Sequence, residues 1–190
     1  MIDKTELNKL RSELSIKAKN GLDFTFSASI IWIIIGFIWT LDKTSYSKSI
    51  LTFYVGILML PLAYLLSKLL KTTWTIKSNP LQPLGLWLNF AQLFYFPFLF
   101  FTLSKMPDYF VMVYVIITGG HFFPYSWFYK NSLFAIAAGI SVVGALFLGF
   151  NLTIEKIYLI PLFFSAILAI LTIFLYYDFK QKERKEGMIK

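Results

Sequence analysis

The chain has 190 residues, of which 57% are hydrophobic, 19% aromatic and 15% charged, and its formal net charge is +8. A soluble domain carries about 25% charged residues, so this chain lacks the polar surface to cover a water-exposed fold; its composition is that of an integral membrane protein, and its length allows one domain. The absence of cysteine excludes a disulfide framework, a thiolate nucleophile, a Cys-ligated metal and a lipidated cysteine anchor. Abundant Lys, Ile, Phe, Tyr and Asn, with their AT-rich codons, fit a bacterial source.

The chain divides into an arm (1–23), a membrane domain (24–178) and a basic tail (179–190). In the arm, Leu7, Leu10 and Leu14 recur at helical spacing, Glu13 precedes Lys17 by four residues, and Asn20-Gly21 can close the helix. This predicts a short amphipathic helix at the cytoplasmic interface, with a partner-docking helix as the alternative. With a hydrophilic start and no small-residue cleavage site, the arm does not read as a signal peptide.

From Phe24 onward, charged residues and Pro/Gly breaks divide the sequence into six lengths, each near the roughly 20 apolar residues that a spanning helix needs. They are 24–41, 50–70, 84–104, 109–129, 132–150 and 157–178. The expected fold is therefore all-α, a polytopic six-helix bundle. Continuously apolar runs of this length exclude barrel strands, which are about 9–11 residues of alternating character. The fourth length is interrupted by Gly119-Gly120-His121 and Pro124, which leaves a re-entrant segment open.

Charge sets the orientation. Six crossings place the arm, the second loop (Lys68, Lys71, Lys77), the fourth loop (Lys130) and the tail (Lys180 to Lys190) on one side, with most of the Lys and Arg residues. Only Lys43, Lys48, Lys105 and Lys156 fall on the other side, so both termini are expected in the cytoplasm of a cell membrane. The same rule accounts for the basic net charge without nucleic acid; anionic lipid headgroups are the expected partners. Trp39, Tyr109 and Tyr158 near one boundary, and Trp74, Trp87, Trp127, Tyr176 and Tyr177 near the other, fit the aromatic belts. Trp32 lies mid-span and is expected to pack against another helix.

By these boundaries no Asp, Glu, Lys or Arg lies deep in a span, which disfavours a proton-coupled pump. The remaining polar groups are His121, the one histidine, with Gln92 and Asn89 on the preceding span. Gln92 and His121 both lie about 12 Å in from the cytoplasmic end at 1.5 Å per residue, so an imidazole–carboxamide hydrogen bond is expected between them. Gly119, Gly120 and Pro124 free the backbone there, and Tyr125 adds a hydroxyl. Broken helices of this kind meet ligands in transporters; the alternative is a kinked helix with its histidine satisfied by Gln92. A lone histidine with no Ser/Asp partner, second histidine or carboxylate pair predicts neither catalytic residues, a metal nor a cofactor. On the fifth span, Ala137, Ser141, Ala145 and Gly149 form a stripe of small residues suited to close helix packing or to a homo-oligomer.

The stretches 10–22, 92–97 and 119–124 resemble small multi-pass membrane proteins of bacteria. That resemblance implies the six-helix fold and no particular activity. The expected role is non-enzymatic binding or transport of a small solute or lipid at the broken fourth span. The alternatives are a membrane accessory protein and a lipid-modifying membrane enzyme.

Overall fold

The computed structural model describes residues 3–187, so Lys190, assigned above to the cytoplasmic tail, lies outside the described residues. Among the described residues the secondary structure is entirely helical: α1 (Lys4–Lys17), α2 (Leu22–Thr40), α3 (Ser45–Ile57), α4 (Met59–Leu70), α5 (Gln82–Leu93), α6 (Phe96–Lys105), α7 (Phe110–Gly120), α8 (Phe123–Phe128), α9 (Leu133–Asn151) and α10 (Leu159–Gly187), with three short 3-10 turns.

Among the described residues, five helical stretches are long and apolar enough to cross a membrane: Lys19–Thr40, Ser45–Leu70, Gln82–Lys105, Leu133–Asn151 and Ile154–Lys185. The expected span 109–129 is not among them, because it is divided into α7 and α8, of 11 and 6 residues. Proline is the cause here and at two other breaks. A proline lacks the amide hydrogen that would bond four residues back, and its ring clashes with that carbonyl. α3 ends at Ile57, four residues before Pro61; α5 ends at Leu93, four before Pro97; α7 ends at Gly120, four before Pro124. Pro161 breaks nothing, because it lies in the first turn of α10, where its missing donor costs no intrahelical bond.

α2 and α10 form the most extensively packed pair. α9 packs against α7, α8 and α10, and the α3–α4 stretch leans on α2. Phe164 of α10 is fully buried at the centre, with its ring 4.8 Å from that of Trp32 and 6.3 Å from that of Phe122. Trp32 also meets Tyr114 at 5.1 Å, so it packs inside the bundle as its mid-span position predicts. Lipid tails are as apolar as these side chains, so close fit and interhelical hydrogen bonds hold such an interior together more than water exclusion does. The hydroxyls serve this purpose: Ser165 Oγ donates to Ser29 O at 2.8 Å, Thr172 Oγ1 to Thr25 Oγ1 at 2.9 Å, and Trp39 Nε1 to Thr52 Oγ1 at 3.1 Å.

The small stripe of α9 is used within the chain. Ala137, Ser141 and Ala145 are buried. A Cβ added to Gly149 would lie 2.1 Å from Met112 Sδ, and one added to Gly119 would lie 2.6 Å from Ser141 Cβ, so the backbones of α7 and α9 meet along this line. The opposite face of α9, with Ile136, Ile140, Val143 and Phe147, is exposed.

α1 is docked onto one end of the bundle. Leu14 and Ser15 are buried. Arg11 Nε donates to Trp127 O at 2.7 Å, and the guanidinium lies 4.6 Å from the centre of the Trp127 ring. Asn79, from the connection between α4 and α5, donates to Leu10 O at 2.9 Å and to Glu13 Oε2 at 2.7 Å. Lys182 of α10 donates to Ser15 Oγ at 2.8 Å. α10 has 29 residues, about 43 Å at 1.5 Å per residue, and therefore continues past a hydrocarbon core of about 30 Å to reach the arm.

Candidate functional site

The polar residues singled out in the sequence meet along the seam between α5 and α7–α8, in a pairing that differs from the expected one. Gln92 Nε2 donates to Thr118 Oγ1 at 3.2 Å rather than to His121. Thr118 is three residues before His121, close to one helical turn, so Gln92 reaches the level just above the break. Two turns nearer the arm, the Gly85 carbonyl accepts two hydrogen bonds, from Asn89 Nδ2 at 3.0 Å and from Tyr125 Oη at 3.3 Å. The His121 ring stands edge-on to that of Tyr125, with centroids 5.2 Å apart, and 6.1 Å from that of Phe122. Asn89 and Tyr125 thus share the Gly85 carbonyl and His121 packs on Tyr125, while Gln92 meets α7 separately through Thr118, and no described residue forms a hydrogen bond with either imidazole nitrogen. His121 is half-buried.

The two glycines beside the break face another way. Gly119 abuts Ser141, and a Cβ on Gly120 would meet Val142 at 3.7 Å, so both look toward α9. Their smallness lets α7 approach α9, and His121 and Thr118 are left to the α5 side. Gly85 plays the matching part on α5, where an added Cβ would meet the Phe128 ring at 3.0 Å.

α5–α6 is the outermost stretch. Only 6% of its apolar window is buried, against 67% for Lys19–Thr40, which leaves the seam close to the outer surface of the molecule on one side. Two outward grooves of the molecule lie elsewhere, one among Trp87, Phe90, Leu93 and Phe94 and one between α2 and α10. Neither includes His121.

A second polar cluster, at the arm end, was not singled out from the sequence. Lys19, Asn20 and Gly21 all have left-handed backbone, with φ of 47°, 56° and 70°. Asn20 is fully buried: its Oδ1 accepts from Ser15 Oγ at 2.5 Å, and its Nδ2 donates to Leu175 O at 3.1 Å and to Asp178 Oδ2 at 2.8 Å. Lys182 Nζ completes this cluster at 2.7 Å from Asp178 Oδ2. Nearby, the buried Asp23 carboxylate accepts from Thr72 Oγ1 at 2.7 Å and from Trp74 Nε1. An acid in the first turn of a helix is favoured by the exposed amides there, and the two neutral donors satisfy Asp23 without a paired cation. The sequence signal was an acid one residue outside an apolar run, facing a Thr-Thr-Trp connection; the boundary drawn at Phe24 hid it. Asn20-Gly21 reads as a helix stop, and the structure uses it as the corner between α1 and α2.

No curated protein and no solved structure matches the chain. The model of a family of unknown function, DUF7010, matches residues 7–178, and the chain belongs to that family.

Proposed function

We infer that the chain is a six-span protein of the cytoplasmic membrane, with both termini on the cytoplasmic side, that binds a small or lipidic ligand at the seam between α5 and α7–α8. The observation that carries the ligand reading is His121: a half-buried imidazole beside a broken helix, at the seam of the least buried span, with no hydrogen-bond partner among the described residues. A polar ring at membrane depth is costly unless something satisfies it, and a ligand entering from the bilayer past α5 would do so. Gln92 and Asn89 each use an amide donor within the seam, which leaves their carbonyl oxygens for a donor on that ligand.

Support for the six crossings comes from the end of the bundle where the arm docks. Contacts Asn79–Glu13, Arg11–Trp127 and Lys182–Ser15 gather the arm, the α4–α5 connection, the end of α8 and the end of α10 at one place. Successive members of that set must then be separated by an even number of crossings, with α7 and α8 counting together as one.

The test is to purify the protein from native membranes, denature it, and identify released small molecules by mass spectrometry. The reading expects a compound that wild type carries and His121→Ala lacks. Identical extracts from two equally folded proteins would overturn it. A second reading, a membrane accessory protein, is favoured by Trp87, Phe90, Phe94, Phe98 and Phe101, which recur at helical spacing along α5–α6 and are all exposed. Recovery from native membranes as a lone monomer with no copurifying protein counts against that reading.

A further inference from the structure

An apolar groove of about 350 Å³ runs between α2, the end of α4 and α10, lined in part by Leu22, Phe26, Leu70, Ile173 and Tyr176. Its arm end is basic. Lys19 Nζ donates to Leu70 O at 2.8 Å, on the groove wall, and lies 5.1 Å from the centre of the Phe179 ring. Lys180 Nζ lies 5.3 Å from the same ring, so two ammonium groups converge on one aromatic side chain. The exposed Lys71 follows Leu70 directly. Among the described side chains one carboxylate faces this rim, that of Glu183, which pairs with Lys180 at 2.9 Å. Asp178 is turned to Asn20 and Lys182, and Asp23 to Thr72 and Trp74, so neither offsets the rim. Tyr176 and Tyr177 are exposed one turn from Lys180, at the level where amphipathic rings settle between hydrocarbon and headgroups.

We propose that this groove is a binding site for an anionic phospholipid of the cytoplasmic leaflet, with an acyl chain laid against Leu22, Phe26 and Ile173 and the headgroup phosphate held by Lys19, Lys71 and Lys180. Among the described side chains the rim carries three cations to one anion, and a basic pocket beside apolar helix faces on the cytoplasmic side is the recurring form of lipid headgroup recognition. A zwitterionic lipid fits the apolar part equally well but brings its own cation to the lysines. The site lies apart from the His121 seam and rests on the membrane reading alone for its depth.

The experiment is native mass spectrometry of the full chain in detergent, titrated with phosphatidylglycerol or with phosphatidylcholine of the same acyl chains. Wild type should retain phosphatidylglycerol at least about fivefold better, the order expected for one lysine near a charged surface. Lys19→Gln with Lys180→Gln should bring retention down to the phosphatidylcholine level, Lys43→Gln with Lys156→Gln should leave it unchanged, and Ile173→Trp, which fills the groove, should reduce both lipids. If the first double variant loses its cooperative unfolding transition, Lys71→Gln with Lys180→Gln carries the same expectation. Equal retention of the two lipids by wild type, a preference that survives both rim variants, or full displacement by soluble glycerophosphate would overturn the proposal. Protein that stays in alkali-washed membranes yet shows no lipid preference would defeat the groove while leaving the membrane reading in place.

Discussion

Asn20 and Asp178, 158 residues apart, are joined by a 2.8 Å hydrogen bond that ties the corner between α1 and α2 to the last helix. The bond depends on a left-handed backbone at Asn20, where φ is 56°, a conformation that costs most residues roughly 1–2 kcal/mol and asparagine less. The side chain then uses both ends, accepting from Ser15 and donating to Leu175 and Asp178.

Asn20→Ala is therefore expected to destabilise the protein by about 2–4 kcal/mol, from the lost hydrogen bonds and the disfavoured backbone together. Asn20→Gly keeps the backbone and loses only the bonds, so it should be the milder change by about 1 kcal/mol. Unfolding midpoints in one detergent check the order; equal loss from both variants would remove the backbone from the explanation.

Two glycines test helix packing in opposite directions. A Cβ on Gly119 meets Ser141 Cβ at 2.6 Å, whereas one on Gly139 meets nothing within 4 Å. Gly119→Ala should cost about 1–3 kcal/mol through overpacking of α7 against α9, and Gly139→Ala should be neutral or stabilising by up to about 1 kcal/mol from helix propensity. The same thermal measurement reads both, and a tolerated Gly119→Ala would show that α7 and α9 can separate freely.

Docking of α1 should weaken in acid. Glu13 is held below its ordinary carboxylate value chiefly by the hydrogen bond from Lys17; burial opposes this, and the Asn79 hydrogen bond and the Lys17 charge add to the lowering. A lowered folded value gives stability that is full above the unfolded value of about pH 4.3 and is lost as pH falls through the folded value. Because the pair is largely exposed, solvent screening limits the effect to under about 1 kcal/mol. Protection of the α1 amides, taken relative to their intrinsic exchange rates, should fall below that pH in wild type and vary less with pH in Glu13→Gln; identical profiles would remove Glu13 from the latch.

The sequence made the apolar lengths legible because lipid demands long, uninterrupted hydrophobic stretches, and five of them recur as helices. It also made the helix break at Gly120 legible, because a proline acts locally on the carbonyl four residues back; the breaks at Ile57 and Leu93 have the same cause in Pro61 and Pro97, yet the lengths 50–70 and 84–104 read as continuous in the sequence. The small stripe on α9 announced close packing, but not that α7 of the same chain covers it. Partner choice was the harder part. Matching depths for Gln92 and His121 did not make them a pair, because rotation about each helix axis decides which side chains meet, and Thr118 took the bond. The Asn20–Asp178 and Asp23–Trp74 contacts join segments whose proximity follows only from the assembled fold.

In the proposed topology α7 and α8 together cross the membrane once, making six crossings with both termini inside. Because the chain has no cysteine, single cysteines placed at Lys105 and Lys130 can be probed in intact cells with a membrane-impermeant maleimide. Six crossings require labelling at position 105 in intact cells and at position 130 only after permeabilisation; labelling of both positions from the same side would rule this topology out.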